Sequence, residues 1–288
     1  MNARIEAAFQ RAGVTGHLHA VDLDTGREIG LRAGEPVVIA SVFKLPLLVA
    51  FYRRAAAGLL DPAEPVVVRA DPRSGGSTGV SVFQDEARVS LRDLAALMIT
   101  ISDNTAADAL FARVGTAEVN AAMADLGLRD THIVGDCADL AQSMLADSGA
   151  SDLDSLWALL AEPGMAARLR ALDPARTSRS TPRDLTRLLS AVWRDEVPAG
   201  PEIRRLLGLQ VWPHRLASGF PFDDVRVSGK TGTMLTIRNE VGLVEYPDGG
   251  RYAVAVCTRS ATVAAVQPAA DAVIGTAARL AVDALRLG

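Results

Sequence analysis

Residues 38–51 read VIASVFKLPLLVAF, a run in which Lys44 is the single charged residue and Ser41 the single hydroxyl. The two stand three positions apart, so on a helix beginning near Ser41 both side chains share one face, about one turn apart. A lysine partly desolvated by Val42, Phe43 and Leu45 loses affinity for its proton and becomes a base able to take the serine's. Backbone N–H groups at the helix start could then stabilise an oxyanion. That chemistry is acyl transfer. Taken alone, the tetrapeptide reads better as a serine N-cap beside a lysine whose stem snorkels to water.

Two further segments shift the balance. Ser102-Asp103-Asn104 interrupts an otherwise continuous apolar helical pattern, and Lys230-Thr231-Gly232-Thr233 follows the strand-like VRVSG. Each by itself would be a turn. In this order, on these elements, the three together resemble the signature of the penicillin-recognising serine hydrolases, the class A β-lactamases and penicillin-binding proteins. HLHAVDLDTGREIGLRAGE and RLASGFPFDDVRVSGKTGT extend the likeness over nearly the whole chain. The resemblance implies Ser41 as nucleophile, Lys44 as its proton acceptor and Ser102 as proton relay, with Lys230 holding that hydroxyl. It implies Asn104 on the substrate amide, the N–H groups of Ser41 and Thr233 as oxyanion hole, and Thr231 and Gly232 as further substrate contacts. Arg215 or Arg238 would receive a substrate carboxylate.

One family element is missing. Class A β-lactamases carry a glutamate in an E-x-x-L-N stretch that activates water for deacylation, and no such stretch occurs between Gly127 and Pro182. Glu162-Pro163 is a partial match, too early and without the asparagine, so Glu162 is a weak candidate for that base. The expectation is an acylating serine enzyme with poor β-lactam hydrolysis, its substrate a lactam, an ester or a D-amino-acid amide. The alternatives are an acyltransferase or DD-peptidase, or a sensor that is acylated once and stays so.

Gly75-Gly76-Ser77-Thr78-Gly79 matches the G-x-S-x-G nucleophile elbow, which requires a strand before it and a helix after it. RADPRSGG and VSVFQDEARVS read instead as loop and extended chain, so the segment is expected to be a glycine-rich loop near the cleft. The two cysteines, Cys137 and Cys257, and the four histidines form no metal-ligand spacing, and no metal or other cofactor is expected. A net charge of −4 gives no reason to expect nucleic acid or an anionic membrane. The opening MNARIEAAFQRAG lacks a signal-peptide pattern and no apolar run approaches membrane-spanning length, so a soluble cytoplasmic protein is expected.

The elements that must position these residues follow from periodicity. A helix over 2–12 precedes two strands around Asp24-Thr25-Gly26, and a hairpin with Pro247-Asp248-Gly249-Gly250 at its tip precedes a last helix over roughly 262–286. The chain between them has helical period at 91–101, 105–114, 155–171 and 182–194, the last with Thr181 as N-cap and Pro182 at the first helical position. The expected fold is α/β in the α+β sense: an antiparallel sheet built from both termini, flanked by helices. The sheet part comprises 1–43 and 217–288, and an all-helical part, 44–216, is inserted between, with a cleft where they meet.

Overall fold

The computed structural model describes residues 1–71 and 73–287. Helix α1 (Asn2–Arg11) leads into the hairpin β1 (Val14–Asp22) and β2 (Glu28–Leu31), closed at the expected turn. A short β3 (Val37–Val38) runs through a 3-10 turn, Ala40–Phe43, into α2 (Lys44–Ala56). The ribbon β4 (Pro65–Val68) with β5 (Ala87–Ser90) precedes α3 (Leu91–Thr100), α4 (Asn104–Val114) and α5 (Thr116–Asp125). Then come α6 (Cys137–Ser148), α7 (Leu153–Leu159), α8 (Met165–Arg168) and β6 (Arg179–Ser180). Helices α9 (Pro182–Trp193) and α10 (Gly200–Gly208) follow, then β7 (Arg226–Met234), β8 (Ile237–Glu245), β9 (Arg251–Ser260) and α11 (Pro268–Leu287).

Strands from both ends of the chain form one antiparallel five-stranded sheet in the order β2-β1-β9-β8-β7. Strands β8 and β9 are buried almost end to end; β9 accordingly carries the apolar run Tyr252–Cys257, while β8 buries the polar Arg238, Asn239 and Glu240. One face packs on α1 and α11 through Ile5, Phe9, Ile274 and Val282. The other meets α2 and α9 through Leu48, Leu185, Val241 and Ala255. Strand β7 is left at the sheet edge beside the 3-10 turn that carries Ser41. The fold is thus a mixed α/β architecture with an antiparallel sheet flanked by helices.

Three expectations about elements are corrected. The helix over 155–171 is broken into α7, α8 and a 3-10 turn at Arg170–Leu172. Pro163 lacks an N–H and Gly164 sits at φ +83°, a left-handed backbone that ends a helical run. The last helix begins at Pro268, not near 262, because the Ala264 and Ala265 carbonyls accept from Arg238 and Gln267 side chains instead of continuing a ladder. The middle of the chain is not all helical either. It holds the β4–β5 ribbon and β6, which pairs with β3, strands of two to four residues and too short to leave a period-2 signal.

Candidate active site

The Ser41 turn begins with Ala40 at φ +46°, a strained conformation for a residue with a Cβ. Lys44 opens α2 and is fully buried, in a helix that is buried from Lys44 through Tyr52. Its ammonium does not reach water. Nζ donates to the Ser102 carbonyl at 2.7 Å, to Asn104 Oδ1 at 2.7 Å and to Ser102 Oγ at 3.3 Å. Among the described residues no hydrogen bond engages Ser41 Oγ. The nucleophile candidate therefore stands free in the cleft, with the lysine aimed past it at the second motif.

Ser102 receives a second lysine. Lys230, also fully buried, donates from β7 to Ser102 Oγ at 2.9 Å and to the Thr231 carbonyl at 2.8 Å. Ser102 itself is held at φ +61°, another strained position, between α3 and α4. Burial lowers the Lys44 pKa, and Lys230 is driven well below the lysine range by burial and by the Lys44 charge. Two ammonium groups facing one hydroxyl disfavour each other, so the arrangement favours a state with one neutral amine. A neutral amine beside a serine hydroxyl is a base.

Asp103 and Asn104 build the opposite rim. The buried Asp103 caps α4 through Ala106 N–H at 3.1 Å, and its carboxylate also accepts from Val80 N–H at 2.6 Å and Ser81 Oγ at 2.8 Å. Asn104 Nδ2 donates to the Gly75 carbonyl at 2.6 Å. Together they pin the glycine-rich segment, so Gly76, Ser77 and Thr78 line the cleft as loop, without the strand–turn–helix an elbow needs. We expect Asp103→Ala to lower stability by about 2–4 kcal/mol, from one lost cap and one stranded buried donor, the Val80 N–H. Chemical denaturation would read this; a loss below about 1 kcal/mol would mean that water takes over the carboxylate's partners.

Strand β7 supplies the facing wall. A Cβ on Gly232 would meet the Ile39 carbonyl at 2.6 Å and Val42 Cγ2 at 3.0 Å, so only glycine lets the strand lie against the Ser41 turn. Thr231 N–H donates to Gln210 Oε1 at 2.8 Å, and Gln210 in turn donates to the buried Glu240 at 2.7 Å, whose pKa burial raises. Arg215 is buried against Asp271 at 2.7 Å, with Nη2 on Thr233 Oγ1 at 2.8 Å, and lines the cleft. Arg238 is buried elsewhere: its guanidinium donates to the carbonyls of Leu235, Ile237, Ala264 and Ala265, and it is absent from the cleft wall. Ser41, Ser102, Asn104, Arg215, Thr231 and Thr233 all border one cleft of about 350 Å³.

The sequence model of the beta-lactamase enzyme family matches residues 1–285. The chain belongs to that family. A curated relative, the "Beta-lactamase regulatory protein BlaB" of Streptomyces cacaoi, is 35% identical over 97% of this chain and 95% of its own length. Among solved structures, PBP-A superimposes with a TM-score of 0.79 at 22% identity, covering 100% of this chain and 96% of that one. A beta-lactamase from Sphaerobacter thermophilus DSM 20745 gives 0.77 at 26% identity, covering 98% and 96%. The fold is that of the class A β-lactamases and PBP-A.

For a member of this family the cleft is short of acid. No aspartate or glutamate lines it among the described residues. Glu162, the weak sequence candidate, lies exposed on the turn between α7 and α8 and does not border the cleft. The group that reaches Asn104 from α6 is Cys137, whose Sγ donates to Asn104 Oδ1 at 3.5 Å and whose pKa burial pushes up to about 12. Asp108, held by the Cys137 N–H at 2.8 Å and by Ser74 Oγ, is itself raised by burial. Sequence reasoning missed Asp103, Cys137, Gln210, Trp212, His214 and Glu240 as parts of this site. Only Asp103 left a signal, as the middle of a recognised motif. No helix of the described residues is long and apolar enough to cross a membrane.

Proposed function

We propose that this protein forms an acyl-enzyme on Ser41 with β-lactams or a related strained or activated amide or ester, and releases the acyl group slowly. The observation that carries this reading is the convergence of two fully buried lysines on Ser102 Oγ, beside a Ser41 hydroxyl without a hydrogen bond, in a cleft lined by no carboxylate among the described residues. Ser41 Oγ attacks the carbonyl carbon and its proton passes to the neutral amine of Lys44. The N–H groups of Ser41 and Thr233 receive the developing oxyanion. As the C–N bond breaks, Ser102 Oγ hands its proton to the leaving nitrogen and is reprotonated from the lysine pair. Arg215, beside Thr233, offers positive charge to a substrate carboxylate. Asn104 Nδ2 spends one of its two N–H donors on the Gly75 carbonyl, and the other is offered to the substrate amide. Hydrolysis of the ester that remains needs a base for water, and among the described residues the cleft wall supplies none of carboxylate type.

A second reading shares this chemistry and differs in its use: a β-lactam-responsive regulator whose signal is the persistent acyl group. The 35% identity with a protein named as a regulator of β-lactamase favours it. Intact-mass spectrometry with penicillin G separates the possibilities. The expected result is one adduct of the antibiotic's mass that persists for many minutes on the wild type and on Ser77→Ala, and is absent from Ser41→Ala. Rapid multiple turnover of a chromogenic cephalosporin would overturn slow release. No adduct with either penicillin or a fluorophosphonate would overturn acylation itself.

A further inference from the structure

Behind the nucleophile turn lies a second cavity of about 230 Å³, separate from the cleft. Its wall is built from the immediate chain neighbours of site residues. Ala40 precedes Ser41, Phe43 precedes Lys44, Met234 follows Thr233 and Asp136 precedes Cys137, and all four line the chamber. At two of these places, Ala40–Ser41 and Thr233–Met234, adjacent residues line the chamber and the cleft. The floor is apolar, while the charged groups on the wall balance: Arg170 and Arg176 against Asp136 and Asp139.

The partners of these charges narrow what would fit. Arg170 is spent on Asp147, with Nε at 2.8 Å and Nη2 at 2.5 Å. Arg176 has no acidic partner among the described residues. Asp136 and Asp139 bridge to each other's backbone N–H groups in a capping box, which among the described residues leaves one oxygen of each without a hydrogen bond. One open cation, two carboxylates with spare acceptors and an apolar floor are complementary to a zwitterion with an apolar side chain. We propose that this chamber is a regulatory binding site for an apolar α-amino acid. The carboxylate of the ligand would meet Arg176, its ammonium the Asp136–Asp139 pair, and its side chain the floor beneath Ala40 and Phe43. A ligand there bears on the segments that carry Ser41, Lys44 and Thr233, and so alters acylation without entering the cleft.

Calorimetric titration with L-phenylalanine tests the site. The wild type is expected to bind with a Kd below about 1 mM. Arg176→Ala and Asp139→Asn should each weaken binding by about fivefold or more, as loss of a charge-assisted contact does, and Ser143→Phe, which fills the chamber, should abolish it. Phenylacetate and phenethylamine, each lacking one charge, should bind at least about fivefold more weakly, and Trp212→Ala, in the cleft, should leave the Kd unchanged. Absence of saturable binding up to about 10 mM, or equal affinity for either one-charge analogue, would overturn the zwitterion site. So would binding lost in Trp212→Ala yet kept in Ser143→Phe. Regulation presupposes an acylatable Ser41, whereas binding does not, so the two fail separately. Saturating phenylalanine should change the rate of penicillin acylation by about fivefold or more. Binding in the chamber with no such change would overturn the regulatory role, and failure of acylation with or without phenylalanine would fall on the proposed function alone.

Discussion

Replacing Lys44 by methionine is expected to slow acylation of Ser41 by about 10²- to 10⁴-fold, the usual contribution of a positioned general base. Methionine keeps the length and volume of the stem, so the apolar bed of α2 stays filled while the amine is lost. The pH profile provides the sharper reading. Burial sets the Lys44 pKa below the ordinary lysine range, so the neutral amine is populated at lower pH than for an exposed lysine. Acylation by the wild type should rise with pH through that lowered value and then level off. The variant should lose this limb. Stability should change in the same direction. With its folded-state pKa below the unfolded one, Lys44 leaves the native state with fewer bound protons between the two values, so stability falls as pH drops through that window. The methionine variant removes this slope. A variant that acylates at the wild-type rate, measured by time-resolved intact mass, would eliminate Lys44 as the base.

Gly232→Ala is expected to damage both the fold and the site. The new Cβ would lie 2.6 Å from the Ile39 carbonyl and 3.0 Å from Val42 Cγ2, and a backbone oxygen cannot rotate away as a long side chain can. Either β7 or the Ser41 turn must shift, at a cost of about 1–3 kcal/mol typical of overpacking. The shift separates the Ser41 and Thr233 walls of the cleft, and a displacement of about 1 Å at such a site costs on the order of 10²-fold in rate. Denaturant melts and acylation kinetics would show the two losses together. Wild-type acylation with wild-type stability would mean that the turn yields freely, and that the close approach of strand to turn is not what sets the cleft. The expectation separates this position from Ser77→Ala, where a cleft-lining hydroxyl is removed from a loop held by other bonds.

The chain is unevenly legible from its residues, and the reasons are local. The termini can be read because hairpins announce themselves: Asp24-Thr25-Gly26 and Pro247-Asp248-Gly249-Gly250 sit between alternating or continuous apolar runs. Thr181-Pro182 marks the start of α9 because both cap and first-turn proline act within a few residues. The 155–171 segment misleads because its apolar spacing is helical while its backbone is decided by Pro163 and Gly164 alone. The second arginine is equally opaque. Arg215 and Arg238 are indistinguishable by type, and only packing puts one on the cleft wall and the other among four carbonyl oxygens.

The amino-acid sequence by itself determined the family, because Ser41, Lys44, Ser102, Asn104 and Lys230 lie in short motifs whose order and spacing are one-dimensional properties. It also determined that no family-type deacylation glutamate occurs where one is expected. The tertiary structure decided everything that depends on distance between remote segments. It brought Lys44 and Lys230, 186 positions apart by number, onto the same hydroxyl. It put Cys137 rather than a carboxylate against Asn104, and it turned the backs of the Ser41 turn and of β7 toward a second cavity. The physical reason is that a pKa, an ion pair or a cavity wall is set by what the fold packs within a few ångströms, and chain order carries no measure of that separation.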